Sequence, residues 1–446
     1  MNRERYHFIG IGGAGMSVIA ELLSARGQIV QGSDAKDSAA LQRLRAKGIH
    51  CFIGHDGTNL PADFTVVRST AIKDTNPELA LAIDRGQQIL HRSEALVRAA
   101  EGLDFVAVAG AHGKTTTSGM LAAALVEAGT DPSYAIGGTV LGLGSGARLG
   151  TGSVFVAEAD ESDGSFLNYA PRVAIVTNVE PDHLDHYGSE AAFKQAFLDF
   201  ASRLTEGGLL ICCADDPGAA DLAERAAAEG LRVVTYGRSK NADVGVAGDD
   251  VIIDDRHYRL ALQVAGDHNR LNAAAALIAG IELGVPATLM SRSLGAFAGT
   301  GRRFEQRGYV RGVRVIDDYA HHPTEVAATI ATARTQVGAS RVIVIFQPHL
   351  FSRTQAFADR FAGALKGADS VIVTDIFPAR EAPVAGVTSE LITDKLPKAR
   401  YVADMDEAAR LAASLARPGD IVLTMGAGSI TEADATVIAE LSEQAR

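Results

Sequence analysis

Short apolar, often β-branched runs alternate with helical patterns along most of the chain. Runs such as residues 105–109 and 342–346 contain no polar position, which is typical of parallel strands that are buried on both faces. Segments such as residues 15–26 instead have the apolar spacing of a helix that packs on one side. This order of strand and helix predicts an α/β protein with mostly parallel sheets.

The pattern divides into three blocks with boundaries near Glu101 and near residues 295–301. Strands are predicted at residues 6–9, 29–32, 64–67, 105–109, 154–157, 173–177, 209–212, 233–236, 313–316, 342–346, 371–374 and 421–424. Helices are predicted at residues 15–26, 39–47, 77–85, 114–128 and 270–283 and between the strands of the third block. Alternation between residues 243 and 264 predicts a small antiparallel segment, and the glycine-containing tract 136–152 is predicted to be a loop. A chain of 446 residues fits three domains, which we place at 1–101, 102–297 and 298–446.

Composition narrows the class of protein. Hydrophobic residues make up 47% and charged residues 22%, as in soluble globular proteins, and the apolar runs are far shorter than a membrane span. The net charge of −12 and the lack of a basic stretch argue against a nucleic-acid partner. Cys51, Cys212 and Cys213 have neither a disulfide-framework nor a zinc-site spacing, and the amino-terminal segment has no secretory pattern, so we expect a cytoplasmic protein without membrane insertion.

Two glycine turns stand between a strand and a helix. The first, residues 10–15, is followed by Asp34, a spacing that suits a diphosphate at a helix amino terminus and a ribose hydroxyl on the acid. The spacing does not distinguish a dinucleotide from a UDP-sugar, and a turn that only packs helix on strand is the alternative. The second, residues 107–117, is a shortened P-loop with Val108 where the full motif has glycine. Its backbone N–H groups and Lys114 suit a nucleoside triphosphate, and the Thr115 hydroxyl suits Mg²⁺.

Polar clusters follow several of the predicted strands. Glu158 ends one strand and His183 follows the next, so one carboxylate and one imidazole indicate a Mg²⁺ or Mn²⁺ site beside the triphosphate. For four nearby residues we expect a solvated acidic loop instead: Asp160, Glu161, Asp185 and His186.

Later clusters complete the candidate chemistry. Asn269 and Asn272 are spaced to share one helical face and suit an adenine edge, although helix capping is the simpler explanation. Arg302 and Arg303 lie in a glycine-containing hinge and suit capture of a phosphate or carboxylate, with a charged loop between domains as the alternative. Residues 317–323 and 347–353, rich in acids and histidines, follow two further strands.

Taken together and in order, these motifs resemble the Mur ligase family, ATP-dependent amide-forming enzymes of peptidoglycan precursor synthesis. Within that family, GIGGAGMS at residues 10–17 and DDYAHHPTEV at residues 317–326 are similar to the member that adds L-alanine to UDP-N-acetylmuramate. The resemblance covers nearly the whole chain. It implies a Rossmann-like UDP-sugar domain, a central P-loop ATPase-like domain and a Rossmann-like amino-acid domain, in a monomer or a homodimer.

The resemblance also implies roles for individual residues. It implies a catalytic set of Lys114, Glu158, His183, Arg303 and His321, and magnesium ligands Thr115, Glu158 and His183, with Glu158 able to serve two ions. The implied ATP-binding residues are Gly110, Ala111, His112, Gly113, Lys114, Thr115, Thr116, His268, Asn269, Asn272, Arg303 and Asp318. The implied substrate-binding residues are Gly12, Gly13, Ala14, Gly15, Asp34, Ser69, Tyr319, His321 and Arg353.

The chain departs from the family pattern at two places, with Leu350-Phe351 where Arg-Tyr is frequent and Ser429 where Asp is common. The implied reaction phosphorylates the lactyl carboxylate of the UDP-sugar and then transfers the acyl group to L-alanine. A ligase that salvages peptides onto the same UDP-sugar is the nearest alternative. A nicotinamide-dependent dehydrogenase and a nucleotide-regulated binding module are more distant ones.

Overall fold

The computed structural model describes residues 3–181, 184–379 and 381–444, and these residues form three β-sheets. Contacts divide the chain into two compact units. The first comprises residues 1–264 and 269–298 and contains two of the sheets, and the second comprises residues 265–268 and 299–446 and contains the third.

The first sheet is parallel throughout. Its strands are β1 (Arg5–Ile9), β2 (Ile29–Asp34), β3 (His50–Ile53), β4 (Thr65–Arg68) and β5 (Ile89–His91), and their order is β3–β2–β1–β4–β5. The helices of this region are α1 (Ala14–Ala25), α2 (Ala39–Ala46), α3 (Pro77–Asp84) and α4 (Arg92–Ala99). Side chains of Ser38 and Asn76 accept hydrogen bonds from the first turns of α2 and α3, so these helices begin where the cap residues stand.

The second sheet has ten strands. They are β6 (Asp104–Ala109), β7 (Ser133–Val140), β8 (Ser145–Arg148), β9 (Val154–Glu158), β10 (Val173–Val176), β11 (Leu209–Cys213), β12 (Arg232–Gly237), β13 (Val244–Ala247), β14 (Asp250–Ile253) and β15 (Arg256–Arg259). Their order is β15–β14–β13–β12–β11–β10–β6–β9–β7–β8, with antiparallel pairing only at the two ends among the described residues. The helices are α5 (Lys114–Glu127), α6 (Leu184–Tyr187), α7 (Glu190–Ala201), α8 (Pro217–Ala228), α9 (Asp267–Glu282) and α10 (Ala287–Ser293).

The third sheet carries an apolar core on each face. Its strands are β16 (Glu305–Val310), β17 (Val313–Asp318), β18 (Val342–Phe346), β19 (Ser370–Val373), β20 (Ala399–Tyr401) and β21 (Ile421–Met425), in the order β16–β17–β21–β18–β19–β20. Only the edge strand β16 is antiparallel to its neighbour within this described sheet. The helices are α11 (Pro323–Val337), α12 (Phe351–Leu365), α13 (Glu390–Thr393), α14 (Met405–Leu415) and α15 (Ala433–Glu443).

The architecture confirms the α/β class with mostly parallel sheets, and the antiparallel segment predicted after residue 243 is formed by β13, β14 and β15. The prediction of a loop at residues 136–152 is wrong, because β7 and β8 pair there as an antiparallel hairpin. Gly146 makes this possible: a Cβ on it would lie 2.4 Å from the Ile136 carbonyl oxygen and 2.6 Å from that of Gly138. Several short edge strands were also not predicted, namely β3, β5, β16 and β20.

The position of the strands explains where the candidate residues meet. β2, β1 and β4 are neighbours in the first sheet, β10, β6 and β9 in the second, and β17, β21 and β18 in the third. Each trio is parallel, so the residues that follow its strands gather at one edge, where open α/β sheets bind ligands. Across the described residues, every helix is too short or too polar to cross a membrane.

Candidate nucleotide and substrate sites

The first glycine turn links β1 to α1 and is held by the last residue of β2. Gly10 has φ +77°, and the Gly12 N–H donates to Asp34 Oδ2 at 2.8 Å. A Cβ on Gly12 would lie 2.5 Å from the Leu41 side chain and 2.9 Å from Asp34 Oδ2, so both side chains would have to shift to accept any larger residue. Gly13 is the amino-terminal cap residue of α1 and has no side chain to cap the helix, so Ala14 and Gly15 present backbone N–H groups in its first turn.

Ser69 directly follows β4, and its carbonyl oxygen accepts a hydrogen bond from the Ile72 N–H at 3.1 Å. The Ile72 side chain reaches within 3.3 Å of the position that a Cβ on Gly10 would take. The structure therefore brings the segment of Ser69 beside the first glycine turn, as expected for residues that follow neighbouring strands. The hydrogen bond from the Gly12 N–H orients the Asp34 carboxylate at this edge of the first sheet.

The second glycine turn links β6 to α5 and depends on two glycines with positive φ. Gly110 has φ +128°, and a Cβ on it would lie 2.2 Å from Thr177 Oγ1. Gly113 has φ +86°, in the left-handed region, and precedes Lys114, the first residue of the helix. The backbone thus takes the form that a phosphate loop needs, although Val108 replaces the first glycine of the full motif.

Two residues that sequence analysis did not single out hold this loop in place. Asn178 accepts from the His112 N–H at 3.0 Å through Oδ1 and donates from Nδ2 to the His112 carbonyl oxygen at 2.9 Å. Thr177 Oγ1 adds a contact of 2.5 Å to the same carbonyl oxygen. Both residues directly follow β10, the neighbour of β6, and this position was the available signal.

Lys114 lies in a largely buried position against an acidic residue. Its ammonium donates to the Gly110 carbonyl oxygen at 2.6 Å and to both carboxylate oxygens of Glu161, at 2.8 and 3.0 Å. Burial alone would lower the pKa of Lys114, but Glu161 and Asp160 outweigh it and raise the pKa. The lysine is therefore charged in the phosphate loop. Our expectation that Glu161 belongs to a solvated loop is wrong, because its side chain is only 1% exposed.

The magnesium ligands implied by the resemblance are partly assembled. The Thr115 hydroxyl donates to Glu158 Oε2 at 3.1 Å, and Glu158 Oε1 accepts from the Gly137 N–H at 2.7 Å. These contacts hold a hydroxyl and a carboxylate side by side at the edge of the sheet. His183 lies outside the described residues, as does the side chain of Asp185, whereas His186 is exposed as expected.

An ion-pair cluster joins the start of α4 to the acidic segment after β9. Arg92 Nη2 lies 2.7 Å from Asp160 Oδ2 and 3.5 Å from Asp163 Oδ2. Burial would raise the pKa of Asp160, but Arg92 and Lys114 lower it to about 2. Thr70 also donates to Asp163 at 3.1 Å. Asp160 is thus part of an ion pair and not of a purely solvated loop, and sequence analysis had missed Arg92 because it has no local motif.

Two of the three implied adenine-side residues lie near the phosphate loop. Asn269 and Asn272 are each 6% exposed and are joined by a hydrogen bond of 3.3 Å from Asn272 Nδ2 to Asn269 Oδ1. Asn272 Oδ1 is 3.0 Å from where a Cβ on Gly113 would stand. His268 belongs to the second compact unit, where burial lowers its pKa.

In the second unit, Arg302 and Arg303 both lie close to the ring of one tyrosine. Their guanidinium carbons are 4.9 and 5.0 Å from the centre of the Tyr319 ring. Arg302 is tied to its own unit by Asp317 Oδ2 at 3.2 Å and the Gly426 carbonyl oxygen at 2.7 Å. Arg303 has a looser contact of 3.7 Å with Glu325. Of the two arginines, Arg303 is therefore the better placed to bind an external anion.

Asp318 ends β17 and accepts three hydrogen bonds within its unit. The donors are the Phe304 N–H at 2.7 Å, the Ala320 N–H at 2.8 Å and the Thr329 hydroxyl at 3.2 Å. Burial raises the pKa of Asp318 to about 6, although Arg303 and the two N–H groups oppose the shift. The carboxylate thus orients the backbone that carries Arg303 and Tyr319.

An imidazole cluster lies at the same edge of the third sheet. His321 Nδ1 is 3.0 Å from the Tyr319 carbonyl oxygen, which can only accept, so Nδ1 carries the proton and Nε2 is free of it in the neutral ring. The His321 and His349 rings are 5.8 Å apart, and Arg353 Nη1 lies 3.5 Å from His349 Nδ1. Leu350, at the departure from the family pattern, has φ +70°, so it turns the chain sharply into α12.

The chain matches family models along three consecutive stretches. The Mur ligase family catalytic domain matches residues 5–103, the Mur ligase middle domain matches residues 108–280, and the glutamate ligase domain of Mur ligases matches residues 302–428. The chain belongs to the Mur ligase family. The enzyme class predicted from the sequence, a ligase, is confirmed.

Individual members of the family are similar to this Mur ligase over nearly its whole length. The chain is 53% identical to a UDP-N-acetylmuramate–L-alanine ligase of Renibacterium salmoninarum, over 99% of this chain and 97% of that protein. Among solved structures, the UDP-N-acetylmuramate-alanine ligase of Thermotoga maritima is 28% identical with a TM-score of 0.82, over 99% of both chains. A murein peptide ligase of Psychrobacter arcticus is 26% identical with a TM-score of 0.72, over 98% of this chain and 99% of that one. These comparisons favour the ligase over the dehydrogenase and the binding module.

Proposed function

We propose that this Mur ligase joins L-alanine to the lactyl carboxylate of UDP-N-acetylmuramate, with ATP as the phosphoryl donor, in peptidoglycan precursor synthesis. The observation that carries the choice of substrates is the 53% identity over 99% of the chain to a ligase named for them. The second glycine turn supports the use of ATP, because its backbone, Lys114 and Thr115 together form a phosphate loop.

The three regions have separate roles in this proposal. Residues 1–101 bind the UDP-sugar, with its diphosphate at the first glycine turn and the segment of Ser69 beside it. Residues 102–297 bind ATP, with the adenine near Asn269 and Asn272. Residues 298–446 bind L-alanine near Tyr319, His321 and Arg353, and bring Arg303 to the nucleotide.

Thr115 and Glu158 fit a magnesium ion. They present a hydroxyl and a carboxylate oxygen 3.1 Å apart beside the phosphate loop, and Mg²⁺ needs only one or two protein ligands because it keeps several waters. We assign His183 as a further ligand, with Mn²⁺ as a substitute for Mg²⁺. When bound, the ion would neutralise charge on the phosphate oxygens of ATP.

The proposed reaction has two steps, and different residues assist each of them. In the first step the lactyl carboxylate oxygen bonds to the γ-phosphorus, the bond to ADP breaks, and an acyl phosphate forms. Lys114 and Arg303 offset the repulsion between the two anions. In the second step the amine of alanine attacks the acyl carbon and phosphate leaves. His321 Nε2 accepts the proton of the amine, since Nδ1 is occupied by the Tyr319 carbonyl oxygen.

A substrate panel with phosphate detection tests the proposal. The purified chain receives ATP, Mg²⁺ and UDP-N-acetylmuramate together with L-alanine, glycine, L-serine or a cell-wall tripeptide. We expect phosphate release with L-alanine at a kcat/KM at least about tenfold above that with the tripeptide. Preference for the tripeptide would identify a peptide-salvaging ligase, and no release with any amine would refute ligase activity on this sugar.

A further inference from the structure

The ammonium of Lys114 is shared between the phosphate loop and a carboxylate from a different segment. It contacts the Gly110 carbonyl oxygen at 2.6 Å and both oxygens of Glu161 at 2.8 and 3.0 Å. Both contacts with Glu161 are hydrogen bonds between charged groups, which are stronger than those between neutral groups. The Glu161 side chain is 1% exposed and that of Lys114 is 17% exposed, so little water screens the pair.

The backbone of Glu161 is also held by hydrogen bonds. Its carbonyl oxygen accepts from the Tyr187 hydroxyl and from the Gly164 N–H, the latter at 3.1 Å. The preceding residue, Asp160, is paired with Arg92 and accepts from the Ser162 N–H at 3.1 Å. The backbone that carries Glu161 is therefore held on both sides, which keeps the base of its side chain near Lys114.

We infer that Glu161 is a positioning residue that competes with the β- and γ-phosphates of the nucleotide for the Lys114 ammonium. The inference rests on the proposed ATP site. Lys114 is the phosphate-binding lysine of that site, and its donors already serve Glu161 and Gly110. A phosphate that approaches the ammonium must displace or share the carboxylate, and two anions at one buried cation repel each other. Glu161 thus keeps Lys114 charged and correctly aimed, and it weakens nucleotide binding so that ADP can leave.

This role predicts that removal of the Glu161 charge strengthens nucleotide binding, whereas other roles predict that it weakens binding. If Glu161 helped to bind the metal, or if it only kept the loop folded, removing its charge would weaken nucleotide binding. If it competes, removing its charge strengthens binding, because glutamine can still accept one hydrogen bond from Lys114 but no longer neutralises it. The effect also requires a β-phosphate, so AMP is insensitive to it.

The test is calorimetric titration of the full chain with ADP and with AMP, in the presence of Mg²⁺. For Glu161→Gln we expect the Kd for ADP to fall at least about tenfold, equivalent to about 1.4 kcal/mol, with the Kd for AMP unchanged. Asp163→Asn is the matched control: it removes the same charge from the same segment, but Asp163 pairs with Arg92 and Thr70 and not with Lys114. Its Kd for ADP should stay within threefold of the wild-type value.

Each other outcome has a defined meaning. Weaker or unchanged ADP binding by Glu161→Gln would overturn the inference, and so would equal tightening by Asp163→Asn, which would show a general charge effect. If the glutamine variant does not fold, Glu161→Asp replaces it. That variant keeps the charge on a side chain one methylene shorter, so the contact lengthens, and two- to fivefold tighter binding is expected. If the wild-type chain binds AMP and ADP equally, the proposed phosphate site itself fails.

Discussion

Asn178 gives the sharpest test of how the phosphate loop is shaped. Its carboxamide makes two hydrogen bonds with the backbone of His112, one as an acceptor at 3.0 Å and one as a donor at 2.9 Å. Asn178→Asp preserves the size and the acceptor but replaces the donating nitrogen with oxygen. That oxygen then faces the His112 carbonyl oxygen, with which it cannot form a hydrogen bond.

The expected magnitude follows from these two contacts. Loss of the donated bond costs about 1 kcal/mol, and two oxygens held at hydrogen-bond distance leave acceptors unsatisfied at a cost of about 1–3 kcal/mol. The sum, about 2–4 kcal/mol, acts on the loop conformation that binds phosphate. If binding requires that conformation, the Kd for ADP rises by about 30- to 700-fold. Asn178→Ala loses both bonds without the repulsion and should lie at the lower end.

Calorimetric titration with ADP and Mg²⁺ measures the effect, and thermal unfolding shows whether the rest of the chain remains folded. Asn241→Asp is the control, since it introduces the same charge at an exposed position of the same compact unit. An ADP affinity of Asn178→Asp within threefold of the wild-type value would refute the idea that this side chain holds the loop.

Two further predictions concern buried charges. The pKa of Asp318 is raised from 3.8 to about 6, so the wild-type chain loses stability as pH rises between these values. The unfolding free energy of Asp318→Asn, measured in urea, should therefore rise by about 2.4 kcal/mol relative to that of the wild type between pH 4 and pH 7, and a pH-independent difference would contradict this. Arg92→Ala removes the guanidinium that contacts both Asp160 and Asp163 and should lower the unfolding free energy by about 2 kcal/mol, after allowance for the partial exposure of Asp160. Arg98→Ala, at an exposed position of the same helix, should change it by less than about 0.5 kcal/mol, and equal losses for both variants would show that the ion pair contributes nothing.

Local signals in the sequence were sufficient for the parts of the site that a single segment builds. The glycines at 110 and 113 and the lysine that follows them lie within one turn, so their spacing predicts the phosphate loop directly. Glu158 was found because a buried run ends there. By contrast, the partner of His112 is 66 residues away and the partner of Lys114 is 47 residues away, so no local pattern predicts the contacts that Asn178 and Glu161 make. Only the order β10–β6–β9 brings them together.

The hairpin of β7 and β8 was missed for a different reason. Glycine is depleted in strands, so the composition of the tract that contains Gly137, Gly138, Gly142, Gly144 and Gly146 predicts a loop. At Gly146, however, the neighbouring strand approaches so closely that any side chain would collide with its backbone. Gly137 donates its N–H to Glu158 across the sheet edge. Glycine is present at these positions because backbones approach closely there. Composition alone does not distinguish such glycines from those of a flexible loop.

The charges of the acidic segment at the end of β9 indicate why the proposed reaction needs a divalent ion. Glu158, Asp160, Glu161 and Asp163 carry four negative charges, whereas the cations that contact them in the ion pairs described above are Lys114 and Arg92. Two of the four charges are therefore not balanced by these cations, at the position where the proposed function brings in a triphosphate. Arg303 adds one positive charge in that proposal, which is fewer than the phosphates require. Bound cations would supply further neutralisation, and Glu158, whose carboxylate lies 3.1 Å from the Thr115 hydroxyl beside the phosphate loop, fits one of them.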